Sequence, residues 1–120
     1  MRFNATALAF LAIAAIVGEA DAHAKLIGTT PTNGTAVARP TEVRLKFNEP
    51  IEIELSGIDL TTKAGGRVAI GAMAIDPADK AAVIVPISSA MKPGGYKVHW
   101  HMVSEDMHKV EGNFTFEVKE

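Results

Sequence analysis

Hydrophobic and polar residues alternate along four segments of the chain, and a period of two is typical of a strand with one buried face. In the longest segment Tyr96, Val98 and Trp100 would share one face, while His99 and His101 would lie on the other. The four segments cover residues 43–47, 51–55, 96–102 and 114–118. Shorter candidate strands cover residues 25–30, 67–70 and 82–86. The pattern therefore predicts a protein built from strands.

Turn sequences containing Gly, Pro or Asp separate these segments, at residues 31–34, 65–66, 76–77 and 93–95. The least regular stretch, residues 72–80, allows a short helical turn. The sequence shows no long helical period, internal repeat or linker to a second domain. About seven short strands with turns between them are typical of an all-β protein, an antiparallel β-sandwich or a Greek-key barrel.

The first 22 residues predict an export signal. Arg2 supplies a positive charge, residues 5–18 an apolar core and Ala20-Asp21-Ala22 a small-residue cleavage site. The apolar run is shorter than the roughly 20 residues of a membrane span, with an uncleaved anchor or a buried helix as the alternatives. Cleavage after Ala22 would leave one domain of residues 23–120 outside the cytoplasm, in the periplasm if the cell has two membranes.

The composition excludes several classes of functional site and partner. The 120 residues include no Cys, which excludes disulfides, thiol catalysis and cysteine-based metal sites. Lys and Arg number 12 against 14 Asp and Glu. Because binding to phosphate backbones needs a basic excess, nucleic acid is not expected as a partner.

His23 would become the first residue after cleavage. An N-terminal histidine can close a chelate ring on one metal ion through its α-amine and its imidazole Nδ1. The reference pKa values, about 7.7–8.0 and about 6.5, allow both groups to lose their protons to a metal near neutral pH. Two nitrogen donors from one residue favour Cu(II). The competing interpretation is that a histidine follows the cleavage site by coincidence.

A second cluster of possible ligands lies near the C-terminus, at Asp106 and His108. In an extended segment, residues two apart point to the same side, so these side chains would lie together. The imidazole could bind metal, and the carboxylate could either bind it or orient the imidazole. A polar loop is the alternative. Glu49 ends the strand of residues 43–47 and is equally consistent with a nearby ligand or a solvated carboxylate.

His99 and His101 form an H-x-H pair on the polar face of a predicted strand. Such a pair can bind metal, although residues on a polar face more often only contact water. The methionines that follow the predicted signal are scattered, so the clustered thioethers that Cu(I) prefers are absent from the sequence. They are Met73, Met91, Met102 and Met107.

Taken together, these residues resemble the CopC family of periplasmic copper-binding, copper-resistance proteins, over residues 23–120. The resemblance rests on motifs that are short alone but occur in a specific order. They are His23-Ala24-Lys25-Leu26, Thr30-Pro31-x-x-Gly34, Phe47-Asn48-Glu49-Pro50, Pro93-Gly94-Gly95-Tyr96-Lys97-Val98-x-Trp100, Val103-Ser104-x-Asp106-x-His108 and Gly112-x-Phe114-x-Phe116-x-Val118.

The resemblance implies an Ig-like Greek-key β-sandwich that carries or sequesters copper and is not an enzyme. It implies one Cu(II) site, with His23, Asp106, His108 and Glu49 as its residues. It also implies a CopD-type inner-membrane protein as a partner that moves copper inward. Family members with a second, Cu(I) site carry a Met-rich loop containing His in mid-chain. Residues 61–80 here offer only Met73, so no Cu(I) site is expected.

Two other functions stay open on the sequence. An N-terminal histidine with a second histidine also resembles the histidine brace of copper oxygenases, although Asp106 would crowd a coordination position that oxygen chemistry needs free. A metal-free interaction module could share the same sandwich. Copper titration separates the metal-free module from the other two, and a test for copper-dependent oxidation separates carrier from enzyme.

Overall fold

A computed structural model describes residues 24–120, so the predicted signal segment and His23 lie outside the described part of the chain. Within these described residues, eight strands form, together with a single turn of 3₁₀ helix at Ile53–Leu55. The strands are β1 (Leu26–Thr30), β2 (Ala36–Val37), β3 (Glu42–Phe47), β4 (Gly57–Thr62), β5 (Ala74–Asp76), β6 (Asp79–Pro86), β7 (Gly94–Val103) and β8 (Lys109–Val118).

The strands form two four-stranded sheets, with the orders β1-β3-β6-β5 and β2-β8-β7-β4. All pairings are antiparallel except the two-residue pairing of β2 with β8. The chain crosses between the sheets after each of the first four strands and again after β6. The prediction of an all-β, Ig-like Greek-key β-sandwich is confirmed, with eight strands instead of about seven.

The hydrophobic core lies between the sheets and follows the predicted alternation. On β3, Val43, Leu45 and Phe47 are buried, and on β7 the side chains from Tyr96 to Met102 alternate inward. Phe47 and Trp100 join the two sheets through an edge-to-face ring contact with centroids 5.3 Å apart. This contact anchors the end of β3, directly before the segment that carries Glu49.

The predicted strand over residues 51–55 is wrong. Ile51 makes one isolated bridge to Ser104, and the chain then turns into the 3₁₀ helix. The Ser56 hydroxyl donates to the Glu52 carbonyl and accepts from the Val103 amide, 2.9 and 3.0 Å away. These bonds fold the segment against the end of β7, so a tertiary contact overrides the local alternation.

Two other segments differ from the sequence prediction. Residues 72–80 contain no helical turn, because β5 and the start of β6 form a hairpin there and Asp76 caps the turn by accepting from the Ala78 amide at 2.9 Å. Strand β4 was not predicted, and residues 67–70 make only isolated bridges. Within residues 24–120 there is no helix of the length and apolarity needed to cross a membrane.

Candidate metal centre

Three segments that are distant in sequence meet at one end of the sandwich. The Lys25 amide donates to Oδ1 of Asn48 at 2.6 Å, and the Asn48 amide donates back to the Lys25 carbonyl at 3.1 Å. The Glu105 amide donates to the Pro50 carbonyl at 3.1 Å. The segment containing Glu49 is therefore tied to the start of the described chain on one side and to the β7–β8 loop on the other.

The β7–β8 loop is a compact turn. The Met107 amide donates to the Ser104 carbonyl at 2.8 Å, and the Ser104 amide donates to the His108 carbonyl at 3.0 Å. Met107 has a φ of 70°, in the left-handed region that commonly closes three-residue hairpin loops. The sequence argument assumed that this segment is extended, whereas the structure shows a turn.

The turn nevertheless brings Asp106 and His108 together. Nδ1 of His108 lies 3.0 Å from Oδ2 of Asp106, and both side chains are a little under half exposed. The predicted proximity is correct, but the turn geometry produces it instead of the two-residue period of a strand.

Ser104 supports this pair from beneath and is fully buried. Its hydroxyl donates to Oδ1 of Asp106 and accepts from the His108 amide, the latter at 3.3 Å. Sequence reasoning treated Ser104 only as part of a motif. Its position two residues before Asp106 was the available signal, since a hydroxyl at that spacing can bond a turn carboxylate.

The electrostatics of the loop favour a charged carboxylate. The Ser104 hydrogen bond, followed by the bond to His108, lowers the pKa of Asp106 below its ordinary value. Asp106 therefore stays ionised well into the acidic range. An ionised carboxylate beside Nδ1 holds the His108 ring in one orientation.

The remaining predicted ligands are placed as follows. Glu49 is half-buried between Asn48 and Pro50. His23 lies outside the described residues, although it is bonded to Ala24, whose side chain is buried at 4% exposure. Within residues 24–120, no three His, Asp or Glu side chains already surround a common point at metal-binding distance. The four-residue copper site thus stays a prediction.

The structure separates the other histidines, and every described methionine except Met107, from this loop. His99 and His101 lie on the outer face of β7, away from the core. Met91 and Met102 are buried core residues, and Met73 packs against the core. Of the methionines in the described part of the chain, Met107 alone is largely exposed, at 62%.

Comparison with known proteins agrees with this architecture. The sequence profile of the CopC domain matches residues 26–119. The chain is 34% identical over 123 residues to copper resistance protein C of Xanthomonas campestris pv. juglandis, covering 98% of this chain and 97% of that protein. It is 35% identical over 114 residues to Protein YobA of Escherichia coli K12, covering 94% and 92% respectively.

Among solved structures, the crystal structure of PcoC, a methionine-rich copper resistance protein from Escherichia coli, superposes with a TM-score of 0.73 and 33% identity. The match covers 82% of this chain and all of PcoC. Profile, sequence and structure agree over nearly the whole described domain. The chain therefore belongs to the CopC family and is a copper-handling protein.

Proposed function

We propose that this protein is exported and binds one Cu(II) ion at the loop end of the sandwich, to carry or sequester copper. One observation carries the proposal: the first described residues are fastened beside the segment of Glu49, at the same end as the Asp106–His108 pair. Consecutive Cα atoms are about 3.8 Å apart. Because His23 is bonded to Ala24, whose side chain is buried, the proposal assigns the His23 donors to this end of the sandwich.

Processing would turn His23 into a bidentate ligand. Cleavage after Ala22 creates an α-amine on the same residue as an imidazole, and that pair chelates a metal in a way that an internal histidine cannot. With His108 the site would hold three nitrogen donors, a set that suits the tetragonal preference of Cu(II) and its high place in the Irving–Williams order.

Asp106 would act chiefly through His108. Its Oδ2 lies 3.0 Å from Nδ1 of His108, so a proton on Nδ1 would leave Nε2 as the ring nitrogen with the lone pair for a metal. Ser104 holds the other carboxylate oxygen, so the carboxylate is oriented before any metal arrives. Glu49 would contribute mainly negative charge near the ion.

The distribution of methionines favours Cu(II) over Cu(I). A Cu(I) site built from thioethers needs several of them to converge. Met91 and Met102 are instead buried in the hydrophobic core. We infer a protein with one tight copper site, of the Cu(II) type, and no separate thioether site.

We favour a carrier over an enzyme. Asp106 contacts Nδ1 of His108, away from the Nε2 proposed to bind copper, so the preference rests on the relatives and not on a blocked coordination position. The proposed cellular setting is the periplasm, with a CopD-like membrane protein as the recipient of copper. The copper resistance protein C relatives support copper handling and carry no enzyme name.

The test is to remove only the terminal amine. Intact mass of the exported protein should show a chain that starts at His23, and competition titration should show one tightly bound Cu(II). Inserting one Ala between Ala22 and His23, so that the mature chain begins Ala-His, keeps both imidazoles but removes the amine from His23. Tight binding of the first Cu(II) should be lost while the circular dichroism spectrum stays unchanged, because the extension lies outside the core.

The matched control is the His99→Ala/His101→Ala double variant, which removes two imidazoles but leaves the loop intact. It should bind the first Cu(II) as the unmodified protein does, with the same copper EPR spectrum. A first copper that survives the extension but is lost in the double variant would refute the proposed ligands. A chain that starts at another residue would refute them as well.

A further inference from the structure

A second group of ligand-type side chains lies on the outer face of the β7–β8 hairpin. Nε2 of His99 is 3.1 Å from Oε1 of Glu111. In the strand register, His101 lies directly opposite Glu111. Glu111 is therefore in contact with one histidine and paired across the strands with the other, a relation that the sequence did not reveal.

His101 and Glu111 also share a surface pocket of about 360 Å³, together with Leu55, Val110 and Lys109. The His101 ring lies over β4, and its Nε2 occupies the space above the Gly57 backbone. Gly57 has no side chain, and its Cβ would stand 2.3 Å from Nε2. The His101 ring thus packs over Gly57 on one side and borders the pocket on the other.

We propose that His99, His101 and Glu111 form a second, weaker binding site for a divalent transition-metal ion, with Cu(II) preferred over Zn(II). Residues two apart on one strand face are about 6.5 Å apart along the strand, and directly opposed Cβ atoms are about 5 Å apart. A metal ion with nitrogen and oxygen ligands at about 2.0–2.2 Å fits between such side chains. Imidazole with carboxylate is a donor set that suits Cu(II) and Zn(II).

The site must rearrange to bind. Since no three ligand side chains in residues 24–120 already surround one point, His101 has to turn from Gly57 toward Glu111. The His99 side chain is 41% exposed and that of Glu111 is 70% exposed, so water must also be displaced. The Lys109 ammonium at the pocket opposes a cation. These costs should make the second site weaker than the loop site, where the buried Ser104 hydroxyl already orients Asp106.

The two sites are far enough apart to be distinguished. His101 precedes Ser104 by three residues and Glu111 follows His108 by three, which corresponds to about 10 Å along the hairpin. A metal at the outer face would lie over Gly57 and Gly112, on strands that flank β7. A metal at the loop would lie near Glu105 and Asn48.

Paramagnetic line broadening locates each ion. Cu(II) sulfate is added to the exported ¹⁵N-labelled protein, and amide peaks are followed through the first and second equivalents. The second equivalent should selectively broaden the amides of Gly57, Gly112 and Asn113. The His99→Ala/His101→Ala variant should lose this second phase entirely, and its first phase should be unchanged.

Two variants that each remove one carboxylate charge test whether Glu111 binds the second metal ion. Glu111→Gln should weaken the second site by about tenfold or more, the size of effect seen when a partner of a metal ligand is lost. Glu117→Gln is the control, because Glu117 lies on the same strand and the same exposed face but opposite Gly95, with no histidine across from it. It should leave both copper sites unchanged.

Three results would overturn the inference. They are the absence of a second phase, a second phase that broadens peaks elsewhere, and a second phase that persists in the double-histidine variant. If instead the first equivalent broadened Gly57 and Gly112, the proposed function would fail, and the rank of the two sites would be reversed.

Discussion

Two carboxylate–imidazole pairs lie on the same β-hairpin, and their contact distances are nearly equal. Asp106 and His108 approach to 3.0 Å in the loop, while Glu111 and His99 approach to 3.1 Å on the outer face. They differ in what lies beneath them. Asp106 is bonded to the fully buried hydroxyl of Ser104, whereas the Glu111 side chain is 70% exposed.

The difference predicts that a short contact alone does not set the strength of metal binding. The lowered pKa of Asp106 reflects its hydrogen bonds from Ser104 and His108, so the loop carboxylate is oriented in advance. An exposed pair must be ordered when a metal binds, and the side-chain entropy lost at that point weakens binding. Affinity should therefore follow the supporting bonds and not the distance.

The largest expected difference comes from removing each histidine in turn. His108→Ala should weaken the first Cu(II) by more than the roughly 10–100-fold that loss of an outer partner costs, because an imidazole ligand disappears. His99→Ala should leave the first Cu(II) unchanged. Competition titration with a copper chelator measures both, and equal losses would show that the two pairs serve one site.

An intermediate effect is expected from the groups that support His108. Asp106→Ala should weaken the first Cu(II) by about 10–100-fold. Ser104→Ala should weaken it less, since Asp106 remains. Its loss of a buried hydroxyl should lower the free energy of unfolding by about 1 kcal/mol. The exposed Ser89→Ala variant is the control and should change neither quantity.

The stability effect of Ser104→Ala should depend on pH. Because folding lowers the pKa of Asp106, its bonds stabilise the fold above the ordinary value of 3.8, and this stabilisation is lost as the pH falls through the lowered pKa. Urea unfolding at neutral and strongly acidic pH should therefore show a difference from the unmodified protein that shrinks in acid. A difference that grew on acidification would contradict the role given to Ser104.

The smallest effect is expected at Glu49. Glu49→Ala removes one negative charge near the loop and should weaken the first Cu(II) by about threefold, consistent with the small energies of partly exposed charges. Glu54→Ala, which removes an exposed carboxylate from the 3₁₀ turn, should have no effect. A loss of tenfold or more in Glu49→Ala would place Glu49 among the direct ligands.

Much of the fold was predictable because it depends on local patterning. Alternation in residues 43–47, 96–102 and 114–118 identified strands whose inward residues are buried. Segment 51–55 shows the same alternation and yet forms a turn, because Ser56 bonds to the Val103 backbone. Local patterning cannot report a contact with a residue 47 positions away.

The same division holds for the candidate site. The sequence by itself determined which side chains could bind copper, since donor type and the order of His23, Glu49, Asp106 and His108 are fixed by the chain. The tertiary structure decided which groups support them. In the folded chain the buried Ser104 donates a hydrogen bond to Asp106, the Lys25 amide donates one to Asn48, and Glu111 contacts His99. These relations depend on the register between strands and the closure of loops, which only the packing of the two sheets defines.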